Sequence, residues 1–190
     1  MNLVKAEKRL LEILLQKSFK YSEEPIFKLV SGRMSHYYIN CKTTTLDPEA
    51  MLLIGHLFYH KVKPFHIHAI GGLTLGADPI AFATAMVSGM QDNAINAFVV
   101  RKKAKEHGLM KWIEGNVREG DRVIIVDDVV TTGQSTIDAI DRARESNLQV
   151  MKAIALVDRQ EGGREKIEKV NIPFESIFTR DDLMNLYKKR

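Results

Sequence analysis

The sequence predicts an α/β domain whose parallel sheet is covered by helices on both faces. Three observations carry this. Residues 97–100, 122–126 and 150–157 are short, near-continuous apolar runs rich in β-branched residues, the pattern of strands buried on both sides. Helical segments at 78–86, 134–144 and 165–170 alternate with them. The 190 residues, 45% hydrophobic and 27% charged, suffice for one core of ordinary globular composition. No repeat, low-complexity tract or Pro/Gly/Ser linker divides the chain, so residues 1–190 read as a single domain.

The elements follow in order. Leu3, Leu10, Leu11, Leu14 and Leu15 recur at helical spacing among charged residues, giving an amphipathic first helix. Residues 26–30 and 37–39 are short extended candidates around Ser31-Gly32. Asp47-Pro48-Glu49 starts a helix with an N-cap acceptor, a proline at the first helical position and an acid in the first turn. Residues 67–70 form a strand ending at Gly71-Gly72, and a charged stretch runs from Arg101 to Lys111. Segments 173–178 and 180–187 add a last strand and helix. Everything before about residue 45 stands outside the strand–helix rhythm and reads as a small N-terminal hood.

Composition excludes several classes. One cysteine, Cys41, allows neither an intramolecular disulfide nor a multi-thiolate metal site, and a reducing compartment follows. The first 24 residues carry charges throughout and lack a cleavage site, so they do not read as a signal peptide. No window approaches 18 uncharged apolar residues. The expectation is a soluble, cytoplasmic protein. Its formal charge of +4, with a pI near 9.1, fits either nucleic acid or a phosphate-bearing small ligand. Residues 101–111 hold five bases and one acid, the whole of that excess, which favours a small polyphosphate over an extended polyanion.

The sharpest motif is Val123-Ile-Ile-Val-Asp127-Asp128-Val129-Val130-Thr131-Thr132-Gly133-Gln134-Ser135-Thr136. A buried strand runs into two carboxylates, then a hydroxyl- and glycine-containing turn, then a helix start. Ligands of open parallel sheets bind beyond the carboxyl ends of strands, where this turn must lie. Backbone N–H groups, hydroxyls and the positive end of a helix dipole suit a phosphate dianion. Two carboxylates would repel that phosphate; they suit sugar hydroxyls or the waters of a divalent cation. The bland alternative is an ordinary strand–helix turn with an N-cap. No Gly-x-x-x-x-Gly-Lys-Ser/Thr and no Gly-x-Gly-x-x-Gly occurs, which removes P-loop and dinucleotide-binding proteins.

This stretch resembles the phosphoribosyl pyrophosphate signature of type I phosphoribosyltransferases, and within them the chain is similar to orotate phosphoribosyltransferases. Phe27-Lys-Leu-Val-Ser31-Gly32-Arg33-Met-Ser35-His-Tyr37-Tyr38-Ile-Asn40 is similar to their substrate segment. Arg101-Lys102-Lys103-Ala-Lys105-Glu-His107-Gly108 resembles their mobile catalytic loop. Leu156-Val-Asp158-Arg159-Gln-Glu161-Gly162-Gly163 and Ser176-Ile-Phe178-Thr resemble their C-terminal strands. The likeness runs through nearly the whole chain in the family's order.

The resemblance implies the type I phosphoribosyltransferase fold and conversion of orotate and phosphoribosyl pyrophosphate to orotidine 5′-monophosphate and pyrophosphate, in de novo pyrimidine biosynthesis. It implies Mg²⁺ as cofactor and a homodimer whose loop reaches the neighbouring site, with no nucleic-acid or membrane partner. By residue, Arg101, Lys102, Lys105 and His107 would meet the pyrophosphate, with Lys105 and His107 stabilising or protonating it. Asp127 and Asp128 would hold the ribose hydroxyls and Mg²⁺-bound water, Asp128 also counting as catalytic. Val129 and Val130 would also meet phosphoribosyl pyrophosphate, and Thr131, Thr132, Gly133, Gln134 and Ser135 would hold its 5′-phosphate. Thr131 and Arg159 would hold orotate, Arg159 as a planar fork on its carboxylate. Backbone groups near Tyr37 and Tyr38 would meet the pyrimidine edge, while their rings could equally be core.

The loop reading has a physical basis too: closing loops exclude water from a phosphate site, and His107 titrates near neutrality. Two positions depart from the family. Val30 stands where many members carry lysine, and so does the turn around Leu75 and Gly76. The pyrophosphate cradle would then rely on backbone N–H groups of 71–76, with Lys42 as a candidate substitute cation. His56 and His60 have zinc-pair spacing without the accompanying glutamate and read as helix decoration; His66 and His68 read as surface, Cys41 as packing and residues 188–190 as a solvated tail. Two alternatives stay open: transfer to another nucleobase, and a phosphoribosyl-pyrophosphate-sensing regulator that binds nucleic acid.

Overall fold

The computed structural model describes residues 1–28, 32, 34–91, 93–103 and 112–189. Val30, Ser31, Arg33, Lys105, His107, Gly108 and Lys111 lie outside the described residues.

Helix α1 (Leu3–Lys17) starts where Asn2 accepts the Lys5 N–H, and it buries Ala6, Leu10, Ile13, Leu14 and Leu15 on one face. Two small antiparallel ribbons follow: β1 (Phe19–Tyr21) pairs with β4 (Tyr37–Ile39), and β2 (Phe27–Lys28) with β3 (Met34–Ser35). A single-turn helix α2 (Lys42–Thr45) leads into α3 (Pro48–Val62), which opens with the expected Asp47 cap on the Ala50 N–H at 3.0 Å.

The main sheet has six strands: β5 (Ala69–Leu73), β6 (Asn96–Val100), β7 (Ile113–Gly115), β8 (Arg122–Val130), β9 (Gln149–Asp158) and β10 (Phe174–Thr179). Their order is β10-β9-β8-β5-β6-β7, and every neighbouring pair is parallel except β6–β7. Helices α4 (Asp78–Gly89), α5 (Gln134–Glu145), α6 (Gly163–Lys169) and α7 (Arg180–Lys188) complete the fold. A strand's successive side chains point to opposite faces. Ile124 and Val126 accordingly join the core shared with α1, α3 and α4, whereas Val123 and Ile125 join the core shared with α5 and α6. That double burial is why β8 reads as a continuous apolar run, each enclosed Ile stabilising by about 1.5–3 kcal/mol.

Two features of the main sheet depart from expectation. Strand β5 runs through Gly71 and Gly72 instead of stopping there, because the neighbouring strands crowd it: a Cβ on Gly71 would lie 2.1 Å from Phe98 O, and one on Gly72 2.1 Å from Val126 O. The edge strand β7 was not expected; it is three residues long, beside a charged stretch, with no alternation to betray it. Among the described residues no helix is long and apolar enough to cross a membrane.

Candidate active site

The C-terminal end of β8 brings both acids to the edge of the sheet. Asp127 and Asp128 are 7% and 4% exposed. Asp127 Oδ1 accepts the Asp128 N–H at 3.0 Å and Oδ2 accepts the Thr136 hydroxyl at 2.9 Å, while Asp128 Oδ1 accepts the Val129 N–H at 3.0 Å. Burial, and then the neighbouring Asp128 charge, push Asp127 up to about 7 against these hydrogen bonds. From the hood side Lys42 Nζ approaches Asp128 Oδ2 at 3.3 Å. A Cβ on Gly76 would meet Asp128 Oδ1 at 2.4 Å and Asp127 Oδ1 at 3.4 Å, so glycine at this position leaves both carboxyls room.

Beyond β8 the chain turns through 131–133 into α5. Gly133 takes φ +78°, and a Cβ there would lie 2.8 Å from Gly163 O. The turn therefore packs backbone against backbone on the start of α6, which only glycine allows. No side chain caps α5, so its first N–H groups face a cleft of about 80 Å³ lined by Asp127 and residues 129–136. Free N–H groups at a helix start form an anion site. The structure thus brings Val129, Val130, Thr131, Thr132, Gly133, Gln134 and Ser135 together with Asp127; Gln134 turns its amide to Asp138 at 2.8 Å.

Arg159 follows β9, and its N–H donates to Val130 O at 2.9 Å, which holds its backbone beside the 131–133 turn. Its guanidinium is buried, with Nε and Nη2 lacking any hydrogen-bond acceptor. Nη2 lies 2.9 Å from Glu161 Oε1 but outside hydrogen-bonding alignment, so the pair is a charge contact that leaves the fork's directed donors unused. Tyr37 sits beneath this guanidinium, its ring centre 5.0 Å from the Arg159 Cζ, and Arg180 covers the same ring at 5.7 Å. Tyr38 is 41% exposed and stacks on Phe27, which removes the core reading for it; Tyr37 is half-buried against the core.

The basic pair stands apart from this cleft. Arg101 and Lys102 line a separate hollow of about 460 Å³ beside Trp112 and the acidic face of α5, and Arg101 Nη1 lies 3.3 Å from Glu114 Oε1. The expected cradle also shrinks: Gly71 and Gly72 are strand residues and the Thr74 N–H donates to Val100 O, which confines the turn to 74–77. The Thr74–Leu75 peptide is cis, and the Thr74 hydroxyl donates to Asp78 Oδ2 at 2.5 Å. Cys41 is wholly buried, its thiol pushed up by burial and then by Asp128, in keeping with packing. His60, His66 and His68 lie at the surface. Thr136, Glu161 and Gly163 belong to the site although only their motifs, not their roles, were legible. Arg180 had no signal in the sequence.

The described residues contain no group of three or more His, Cys, Asp or Glu side chains able to hold a metal. Asp127 and Asp128 are adjacent carboxyls at the end of β8, oxygen donors of the kind that suit a Mg²⁺ ion keeping most of its waters.

A family model described as phosphoribosyl transferase domain matches residues 54–181. The orotate phosphoribosyltransferase of Aquifex aeolicus is 49% identical over 176 residues, covering 93% of this chain and 96% of the relative. That of a Nostoc species is 44% identical over 183 residues, covering 96% and 87%. Among solved structures, Mycobacterium tuberculosis orotate phosphoribosyltransferase with Fe(III) dicitrate superposes with a TM-score of 0.82 at 35% identity, covering 94% of this chain and 98% of the other. The same enzyme in complex with 5-phospho-α-D-ribosyl 1-diphosphate gives 0.77 at 32% identity, over 94% and 98%. The parallel sheet, the acid pair on β8 and the uncapped α5 turn agree with these likenesses: the chain belongs to the phosphoribosyltransferase family, and within it to the orotate phosphoribosyltransferases.

Proposed function

We propose that the chain transfers the phosphoribosyl group of phosphoribosyl pyrophosphate to orotate, releasing pyrophosphate and forming orotidine 5′-monophosphate for pyrimidine synthesis in the cytoplasm. The observation that carries the base assignment is Arg159: a buried guanidinium with two unused donors, tied by its backbone to Val130 at the edge of an anion-binding turn. A planar fork of that kind suits a carboxylate, which orotate carries and purine bases lack.

In this reading the α5 turn binds the 5′-phosphate, and Asp127 and Asp128 hold the ribose hydroxyls. A ring nitrogen of orotate attacks the anomeric carbon and gives up its proton, which the departing pyrophosphate can take up. The bond from that carbon to the pyrophosphate oxygen breaks, and its electron pair leaves with pyrophosphate. Charge grows on the leaving group, so the chain's contribution there is fixed positive charge. Arg101, Lys102, Lys105 and His107 supply it from the loop, Lys105 and His107 as charge stabilisers or proton donors. Asp127 and Asp128 would hold Mg²⁺ through water, and the ion would supply positive charge against the charge developing on pyrophosphate.

The enzyme works as one unit over residues 1–190, with 1–45 as the hood, and as a homodimer with shared sites. Supporting the dimer, Phe82, Met86 and Met90 recur every four residues along α4 and its C-cap and are 49%, 52% and 71% exposed, and Leu52 on the adjoining helix α3 is 45% exposed. An apolar stripe of this kind marks an interaction face.

Loss of orotate absorbance in the presence of phosphoribosyl pyrophosphate and Mg²⁺ tests the assignment. Turnover with orotate and none with free purines is expected. Turnover with a purine base alone, or salt-dependent nucleic-acid binding without orotate turnover, would replace this reading with one of the two alternatives.

A further inference from the structure

Three neighbours of Asp128 divide the site into two sides. Asp127, next to it, is tied to α5 through Thr136, the side of the phosphate turn. Asp128 faces the other way, toward Gly76 of the 74–77 turn and Lys42 of α2. With the 5′-phosphate on the α5 turn and the ribose over the acids, the diphosphate on the far end of the sugar falls on the Lys42 side. The sequence from Gly71 to Asp78 contains no lysine or arginine, so the turn itself offers that diphosphate no cation.

Lys42 is aimed, not loosely tethered. The buried Ser18 and Thr44 hydroxyls meet at 2.6 Å, and the Thr43 hydroxyl lies 2.8 Å from both Lys17 O and Asn40 O, its single proton shared between them. Cys41, just before it, is fully enclosed. The side chain is 46% exposed while the Asp128 carboxyl it touches is 5% exposed, so the ammonium sits at the mouth with one face on Asp128 and the other open. An ammonium carries three donors, and the contact with Asp128 uses one.

We infer that Lys42 is a binding cation for the diphosphate of phosphoribosyl pyrophosphate and for product pyrophosphate, bridging Asp128 and the leaving group. The inference rests on the transfer reading above. It assigns to the hood a contact with the reacting end of the substrate, in a chain lacking lysine in the turn itself.

Titration calorimetry with three probes tests it. For Lys42→Ala, pyrophosphate and phosphoribosyl pyrophosphate should bind about tenfold or more weaker, the scale of one lost charged hydrogen bond. Ribose 5-phosphate, which lacks the diphosphate, should bind as in the wild type, and Lys42→Arg should restore most of the loss. Equal weakening of ribose 5-phosphate would show that Lys42 acts only by holding Asp128, and wild-type pyrophosphate affinity would show that it does not act there; either overturns the inference. If Lys42→Ala fails to fold, Lys42→Gln carries the same comparison. Wild-type chain without orotate turnover would reject the transfer reading, an outcome separate from both.

Discussion

The Tyr37 hydroxyl donates a 2.8 Å hydrogen bond to Glu161 Oε1, joining the hood to the turn after β9 across 124 positions of sequence. Glu161 Oε1 is also the atom in charge contact with Arg159, and Arg180 Nη1 reaches the Tyr37 hydroxyl at 3.5 Å. The Tyr37 ring and the Glu161 carboxylate thus brace the Arg159 guanidinium, and Arg180 in turn braces the ring, an arrangement of the preorganised kind that makes a bidentate contact strong.

Removing that fork should separate the two substrates. Arg159→Ala is expected to raise KM for orotate by one to two orders of magnitude, about 1.5–3 kcal/mol for a charged hydrogen bond. Calorimetric affinity for phosphoribosyl pyrophosphate should change less than about twofold. A parallel loss for both would mean that Arg159 supports the fold and not the base.

Gly133→Ala combines a left-handed φ of +78° with a Cβ 2.8 Å from Gly163 O. The strained conformation alone costs about 1–2 kcal/mol, and displacing the start of α6 adds to it. Lower melting temperature and weaker phosphoribosyl pyrophosphate binding are expected together. Gly120, with φ +83° and nothing within 4 Å of its Cβ, is the control: Gly120→Ala should lower the melting temperature modestly and leave binding intact.

Asp127 predicts how stability follows pH. In the unfolded chain its carboxyl titrates near 3.8, and in the fold burial and the Asp128 charge raise it to about 7. Below about pH 4 both states hold the proton. Between the two values the folded chain keeps a proton that the unfolded chain has lost, so raising pH destabilises the fold by up to about 1.4 kcal/mol per unit. The penalty levels off above about pH 7. Asp127→Asn in metal-free buffer should flatten this slope and gain on the wild type as pH rises from 5 to 8, while losing activity. Parallel melting curves against pH for the two proteins would contradict this.

The apolar stripe on α4 predicts the assembly. Phe82→Glu with Met86→Glu should yield monomers by sedimentation and cost most of the activity, because the basic loop then has no neighbouring site to complete. In the intact assembly, Lys105→Ala should lower kcat by orders of magnitude without altering the melting temperature. Mixed dimers of Lys105→Ala and Arg159→Ala chains should recover part of the wild-type rate, since one of the two sites then has both groups. A verified mixed dimer without recovery would place the loop in its own subunit's site.

The sequence by itself determined the α/β class, the order of strands and helices from β5 onward apart from β7, and the acid pair with its turn. Those are local facts: a strand buried on both faces must be apolar at every position, and a phosphate turn is one contiguous piece of backbone with a helix at its end. Only the tertiary structure decided that β5 continues through two glycines, because the crowding comes from Phe98 and Val126 on neighbouring strands. It alone added β7 at the sheet's edge, too short to carry a period. The cluster around Arg159 and the Lys42 contact also belong to it. Tyr37, Arg159, Glu161 and Arg180 come from three separate stretches of chain, and Lys42 meets Asp128 across 86 positions. Such meetings depend on strand order and on how the hood packs, which no local pattern of residues encodes.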